Sequence, residues 1–138
     1  MKSPALALLA LLVMTGCTTS KLTPEHADPV PANRLYGFTQ KVGSDDAKIT
    51  VVRDGGAFGS GCGFVVHIDG KRAATLNSGE VASFYVDPGE HVISVGLSGI
   101  GLCSAIDKTT EFVASQNQKR IYRLSTDLNG FYINPYID

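Results

Sequence analysis

The sequence predicts an all-β fold, a small antiparallel β-sandwich of about seven or eight strands. Two observations predict it. After residue 41, short runs rich in β-branched and aromatic residues recur, and turn-forming residues separate them. No stretch shows the apolar spacing of an amphipathic helix. The 138-residue chain leaves room for one such domain with a modest core.

The first predicted strands follow one another through short turns. Residues 49–52 form one apolar run, and residues 64–68 form a second in which apolar and other residues alternate. Asp69-Gly70 then provides a tight hairpin turn, because glycine tolerates the positive φ that such turns require. The strand at residues 73–76 follows directly.

The later strands repeat this pattern. Residues 82–86 place three apolar side chains on one face, and the Asp-Pro-Gly-Glu sequence at 87–90 favours a type II turn into 91–95. Asn129-Gly130 joins the last two strands as a hairpin. The remaining predicted strands are residues 110–114, 120–125 and 131–133.

The start of the chain carries an export signal. Lys2 precedes an apolar run over residues 5–13, which is too short to span a bilayer, and small residues follow it. A charged start, a short apolar core and small residues before the cleavage site are typical of a secretory signal peptide. We therefore expect the chain to leave the cytoplasm.

Residues 14–17, Met-Thr-Gly-Cys, resemble the lipobox of bacterial lipoproteins, with Met14 where that family usually has Leu. The resemblance implies that residues 1–16 are a lipoprotein signal peptide and that acylated Cys17 anchors the mature chain in a lipid bilayer. Several acyl chains, such as palmitate, hold a domain far more stably than one. Thr18 occupies the position where Asp would retain a lipoprotein at the inner membrane, so we expect the outer membrane, facing the periplasm. The alternative is an ordinary cleaved signal that contains a cysteine.

Residues 17–41 are predicted to be the lipidated cysteine and a flexible tether, and residues 42–138 the β-sandwich domain. The tether prediction depends on three prolines among polar residues without a sustained apolar period. In the alternative, Leu35, Tyr36 and Phe38 begin a first strand or pack along the domain.

Charge excludes one class of partner. The chain has 12 basic and 13 acidic residues, scattered among one another, and a net charge of −1. Nucleic-acid binding draws on clustered Lys and Arg. We therefore expect no nucleic-acid partner.

Cys62 and Cys103 are predicted to form a disulfide, because export places them in an oxidising compartment. Cys62 has the strand parity of Phe64, which directs it toward the core. The alternatives are two separate buried thiols or a catalytic cysteine, and no nucleophile signature supports the latter.

Each of these cysteines follows a glycine-rich loop, at residues 54–61 and 96–102. A disulfide would hold the two loops together. Binding residues concentrate on loops held by a rigid scaffold, so the apolar side chains of these loops are candidates for binding a partner protein or another envelope component. In the alternative, they close the end of the core. The candidate binding residues are Phe58, Leu97, Ile100 and Leu102.

Catalytic and metal-binding patterns are weak. The loop at 54–61 lacks the Gly-Lys-Ser/Thr ending of a phosphate-binding loop, and the chain has no Gly-x-Ser-x-Gly sequence. His67 and His91 lack paired ligand spacing, and we expect both to be solvent-facing strand residues. The sequence predicts no enzyme, no cofactor and no metal site.

Residues 66–71, which end in Asp-Gly-Lys, and residues 87–91, Asp-Pro-Gly-Glu-His, resemble small lipoproteins of unknown function related to PEGA domains. The resemblance implies a β-sandwich on an envelope lipoprotein and supplies no catalytic residues. We expect an interaction module of the cell envelope with a possible protein partner. The alternatives are a structural lipoprotein without a specific partner and a small-ligand-binding lipoprotein. Residues 131–137 form a candidate edge strand that could receive a partner strand, since Pro135 is tolerated at a sheet edge; in the alternative, this final strand is covered by the tether or by its own neighbour.

Overall fold

The computed structural model describes residues 19–57, 59–99, 103 and 107–137. The predicted signal peptide and Cys17 lie outside the described residues, as do Phe58, Ile100 and Leu102. Within the described part of the chain, no helix is long and apolar enough to cross a membrane.

The fold is all-β, as predicted, and the described residues form nine strands in two sheets. One sheet has the order β1-β5-β2-β8-β9 and the other the order β4-β3-β6-β7. Two single-turn 3₁₀ helices, Pro24–His26 and Ala32–Arg34, flank the first strand. The strands are β1 (Asp28–Pro29), β2 (Ala47–Arg53), β3 (Gly63–Ile68), β4 (Lys71–Leu76), β5 (Glu80–Val86), β6 (Gly89–Ser98), β7 (Lys108–Ala114), β8 (Lys119–Asp127) and β9 (Gly130–Pro135).

The two sheets pack face to face around a single apolar core. Its side chains alternate along the strands, as expected for a sandwich with one buried face on each sheet. Ile49, Phe84 and Leu124 come from the five-stranded sheet, and Val66 and Ile93 from the four-stranded sheet; all five are fully buried.

The pairing is not antiparallel throughout, which corrects the prediction. The hairpins β3–β4 and β8–β9 form through Asp69-Gly70 and the turn before Gly130, as the sequence predicts. In contrast, β2 and β8 pair in parallel, with Ile49 opposite Arg120. Five strands, β3 to β7, lie between those two strands in the sequence, so no tight turn fixes their relative direction.

The segment before β2 also differs from the flexible tether that its prolines favour. Val30 donates its N–H to Val81 on β5 at 3.0 Å and is buried in the core. Tyr36 donates to Ala73 on β4 at 2.8 Å, and Leu35 forms a bridge with Ala74. The segment therefore covers an edge of each sheet, because unpaired backbone groups at those edges need partners. This is the alternative in which Leu35, Tyr36 and Phe38 pack along the domain.

Candidate functional site at the disulfide end

Cys62 and Cys103 form a disulfide that joins the segment before β3 to the segment after β6, which confirms the prediction. Their Cα atoms are 5.4 Å apart, and 41 positions separate them in sequence. The turn between β8 and β9 lies at the same end of the sandwich, as does the carboxyl end of β2. We call this the disulfide end, and the opposite end, with the Asp69-Gly70 turn, the far end.

Arg53 fixes the backbone of the disulfide end from inside the protein. It is only 2% exposed, and its guanidinium donates to the carbonyl oxygens of Gly59, Cys62 and Leu76 at 2.7 to 2.8 Å. The guanidinium carbon lies 3.9 Å from the ring centroid of Phe64, a cation–π contact. Burial lowers the pKa of Arg53 to about 10.

The buried position of Arg53 has a signal in the sequence. Arg53 shares the strand parity of Ile49 and Val51, so the alternation that places those two side chains in the core also places Arg53 there. Its charge led the sequence interpretation to end the apolar run at Val52. The charge is tolerated because three carbonyl oxygens satisfy its donors.

A mostly apolar cleft of about 470 Å³ opens at the disulfide end. Leu97, one of the predicted binding residues, lines it and packs partly against the core. Leu128 stands at the tip of the β8–β9 turn and is 76% exposed. The cleft is lined by Gly59, Cys62, Phe64, Leu97 and residues 126–131. Leu97 therefore lies beside an apolar surface to which the β8–β9 turn also contributes. The sequence did not predict that this turn would be part of the site.

An ion pair between Arg123 and the buried Asp54 holds the start of the described chain. Asp54, fully buried, accepts hydrogen bonds from Arg123 at 2.8 Å (Nε to Oδ1) and 2.5 Å (Nη2 to Oδ2). The hydrogen bond with Asp54 raises the pKa of Arg123. Asp54 also accepts from the hydroxyl of Thr19 at 2.8 Å. The N–H of Thr19 donates to the carbonyl of Thr126, which lines the cleft, at 3.3 Å.

His91, at the far end, is buried and only 8% exposed, so the prediction of a solvent-facing residue is wrong. Its Nδ1 lies 2.7 Å from Oδ2 of Asp69, and its Nε2 lies 2.7 Å from the carbonyl oxygen of Asp87. His91 has the core-facing parity of Ile93, which explains its burial. His67 lies on the opposite parity in β3 and is half-buried.

The environment of His91 favours its charged form. Burial opposes protonation, but the hydrogen bonds to the Asp69 carboxylate and the Asp87 carbonyl outweigh it and raise the pKa of His91. Two acceptors can both be satisfied only when both ring nitrogens carry protons. No ring nitrogen is then free to bind a metal or to take up a proton. Among the described residues, no group of three or more potential ligands could hold a metal ion.

The predicted edge strand is confirmed, since β9 is the outer strand of the five-stranded sheet. Its outward backbone groups have no strand partner among the described residues. The N–H of Tyr136 donates to the carbonyl of Ile121 at 2.9 Å, so the chain stays on the sheet past Pro135. The edge is a second surface at which a partner strand could pair.

No family model matches the chain, and no curated protein is significantly similar to it in sequence.

Proposed function

We propose that the chain is a membrane-anchored bacterial lipoprotein whose β-sandwich is a non-enzymatic interaction module of the cell envelope. In this proposal, acylated Cys17 provides the anchor, and the disulfide end is the surface that binds another component of the envelope. The observation that carries the proposal is the apolar cleft beside the exposed Leu128.

The framework around the cleft supports a binding role. The disulfide, the three carbonyl contacts of Arg53 and the Asp54–Arg123 pair fix the backbone on several sides of the cleft. A surface that is already ordered loses little conformational entropy when it binds. An exposed apolar side chain such as Leu128, next to an apolar cleft, gains from being removed from water.

The sequence supports the anchor and the location. The signal-like residues 1–16, Cys17 in a lipobox-like context and the resemblance to PEGA-related lipoproteins all favour an exported, lipid-anchored chain at the outer membrane. The non-enzymatic assignment is supported by His91, whose two ring nitrogens both face acceptors.

Site-specific photocrosslinking in cells tests the proposal. A photoreactive amino acid at position 128 of the full chain should form a discrete product with an envelope protein or lipid. The matched control is position 42, because Val42 is 93% exposed and lies near the far end, beside Asp87. Products from position 42 as abundant as those from position 128, or none from position 128, would contradict binding at the disulfide end.

A variant pair separates binding from folding. In both variants the photoreactive amino acid is placed at position 129. Leu128→Glu should abolish the discrete crosslinked product from that position, whereas Val42→Glu should leave the product intact. Both side chains are exposed, so we expect both variants to keep the thermal unfolding temperature of the parent chain within a few degrees.

A further inference from the structure

The hydrogen bonds of Thr19 limit how far the domain can lie from its anchor. The hydroxyl oxygen of Thr19 accepts a hydrogen bond from the backbone N–H of Thr126 at 3.2 Å. The backbone N–H of Thr19 donates to the carbonyl oxygen of Thr126. Ser20 and Gly55 exchange two backbone hydrogen bonds, each of 2.9 Å. The described chain therefore begins bound to the disulfide end.

Cys17 precedes Thr19 by two residues, which span about 7 Å when fully extended. A free linker over residues 17–41 would reach roughly 25 to 30 Å. That reach is lost because Thr19, Val30 and Tyr36 are each hydrogen-bonded to the sandwich. Acyl chains on Cys17 would thus hold the disulfide end against the bilayer.

The surface nearest this attachment point is suited to lipid. Leu128 is two residues from Thr126 and projects from the β8–β9 turn with 76% of its surface exposed. The apolar cleft lies beside it. Two charged residues close to this turn in sequence have partners within the protein: Asp127 accepts from the N–H of Asn129 at 2.7 Å, and Arg123 is paired with Asp54. Contact with the membrane interface would leave the ion pair of Arg123 and the hydrogen bond of Asp127 intact.

We infer that the disulfide end docks on the bilayer that carries the acyl chains of Cys17, with Leu128 inserted at the interface. The inference rests on the proposed lipidation and names the lipid surface as the component bound at this end. A protein bound to the same surface would have to fit between the sandwich and a membrane that is two residues of chain away. The far end, with Asp69 and His91, then faces away from the membrane. It lies farther from the membrane than the disulfide end by the length of the strands, about 20 Å.

The absence of tryptophan from the sequence allows a direct test. Leu128→Trp gives the full lipidated chain a single tryptophan, and Val42→Trp is the matched control near the far end. Each protein is reconstituted in phosphatidylethanolamine and phosphatidylglycerol vesicles with and without bromine-labelled acyl chains. We expect blue-shifted emission from position 128 with at least twofold quenching by brominated lipid, and little change from position 42.

Mass spectrometry of Cys17 in the same samples distinguishes failure of the docking inference from failure of the lipoprotein proposal. If Cys17 is acylated and the tryptophan at position 128 is no more quenched than that at position 42, the docking inference is overturned and the lipoprotein proposal stands. If Cys17 carries no lipid, both fail. A crosslink from position 128 to a protein in cells, combined with no quenching in vesicles, would replace the bilayer with a protein partner and overturn the inference.

Discussion

Asp54 and Arg123 form a two-point ion pair in which the carboxylate is fully buried and the guanidinium is partly exposed. The pair joins the end of β2 to β8 across 69 positions of sequence. Through the hydroxyl of Thr19, it also fixes the point at which the chain leaves the domain toward Cys17. One buried carboxylate thus links the packing of the sheet to the proposed attachment to the membrane.

Arg123→Met should lower the free energy of unfolding by about 3 kcal/mol, because it leaves the buried Asp54 carboxylate without its charged partner. Denaturant unfolding measures the effect. Lys119→Met, at an exposed position of the same strand, is the control and should change stability by less than about 0.5 kcal/mol. Equal effects of the two substitutions would show that the ion pair does not stabilise the fold.

Removing the disulfide should destabilise the domain by up to about 4 kcal/mol in the chain-entropy model, since the bond closes a long loop. The double variant Cys62→Ala, Cys103→Ala should unfold at a lower denaturant concentration than the oxidised parent. Dithiothreitol should destabilise the parent and leave the double variant unchanged. A parent insensitive to reduction would argue against a stabilising bond.

The His91–Asp69 pair predicts a pH-dependent contribution to stability. The pKa of His91 is raised in the folded protein. The contribution of His91 to folding stability is therefore fully present below its unfolded pKa of about 6.5, and it is lost as the pH rises through the folded-state pKa. The pKa of Asp69 is lowered against the effect of burial by its hydrogen bonds to His91 and Val92. Its contribution is present above its unfolded pKa and is lost as pH falls through the folded value.

His91→Gln should therefore cost more stability at pH 6 than at pH 9. Unfolding free energies of parent and variant at the two pH values measure the difference. His67→Gln, on the solvent-side parity of β3, should cost little at either pH. A penalty for His91→Gln that does not depend on pH would show that the charged histidine does not stabilise the fold.

The packed segment before β2 should resist proteolysis. Arg34 is held by Glu80 through two hydrogen bonds and donates to the carbonyl of Thr75, so trypsin should cut slowly after it. Val30→Asp places a charge in the core and should release the segment, with cleavage after Arg34 accelerated at least tenfold. Rapid cleavage of the parent chain after Arg34 would contradict the packed segment and favour a flexible tether.

Features encoded by neighbouring residues were predictable from the sequence. Asp69-Gly70 carries the positive φ values of a tight turn, at 49° and 75°, and both residue types favour that conformation. Alternation along β3 identified core side chains such as Phe64 and Val66, and the predicted export signal made the disulfide chemically reasonable. Each of these depends on local geometry or on the compartment alone.

Features that depend on distant partners were not predictable in the same way. Asp54 is tolerated in the interior because Arg123 reaches it from β8, and His91 because Asp69 lies on the neighbouring turn. Composition alone made both residues candidates for the surface. The parallel pairing of β2 with β8 likewise follows from the route of the chain between the sheets, which no local pattern specifies.

The anchor that underlies the account is tested most directly by the intact mass of the protein purified from membranes. The account predicts a chain that begins at Cys17, lacks residues 1–16 and carries the added mass of several acyl chains on that cysteine. A mature chain that begins elsewhere, or one with an unmodified Cys17, would contradict it.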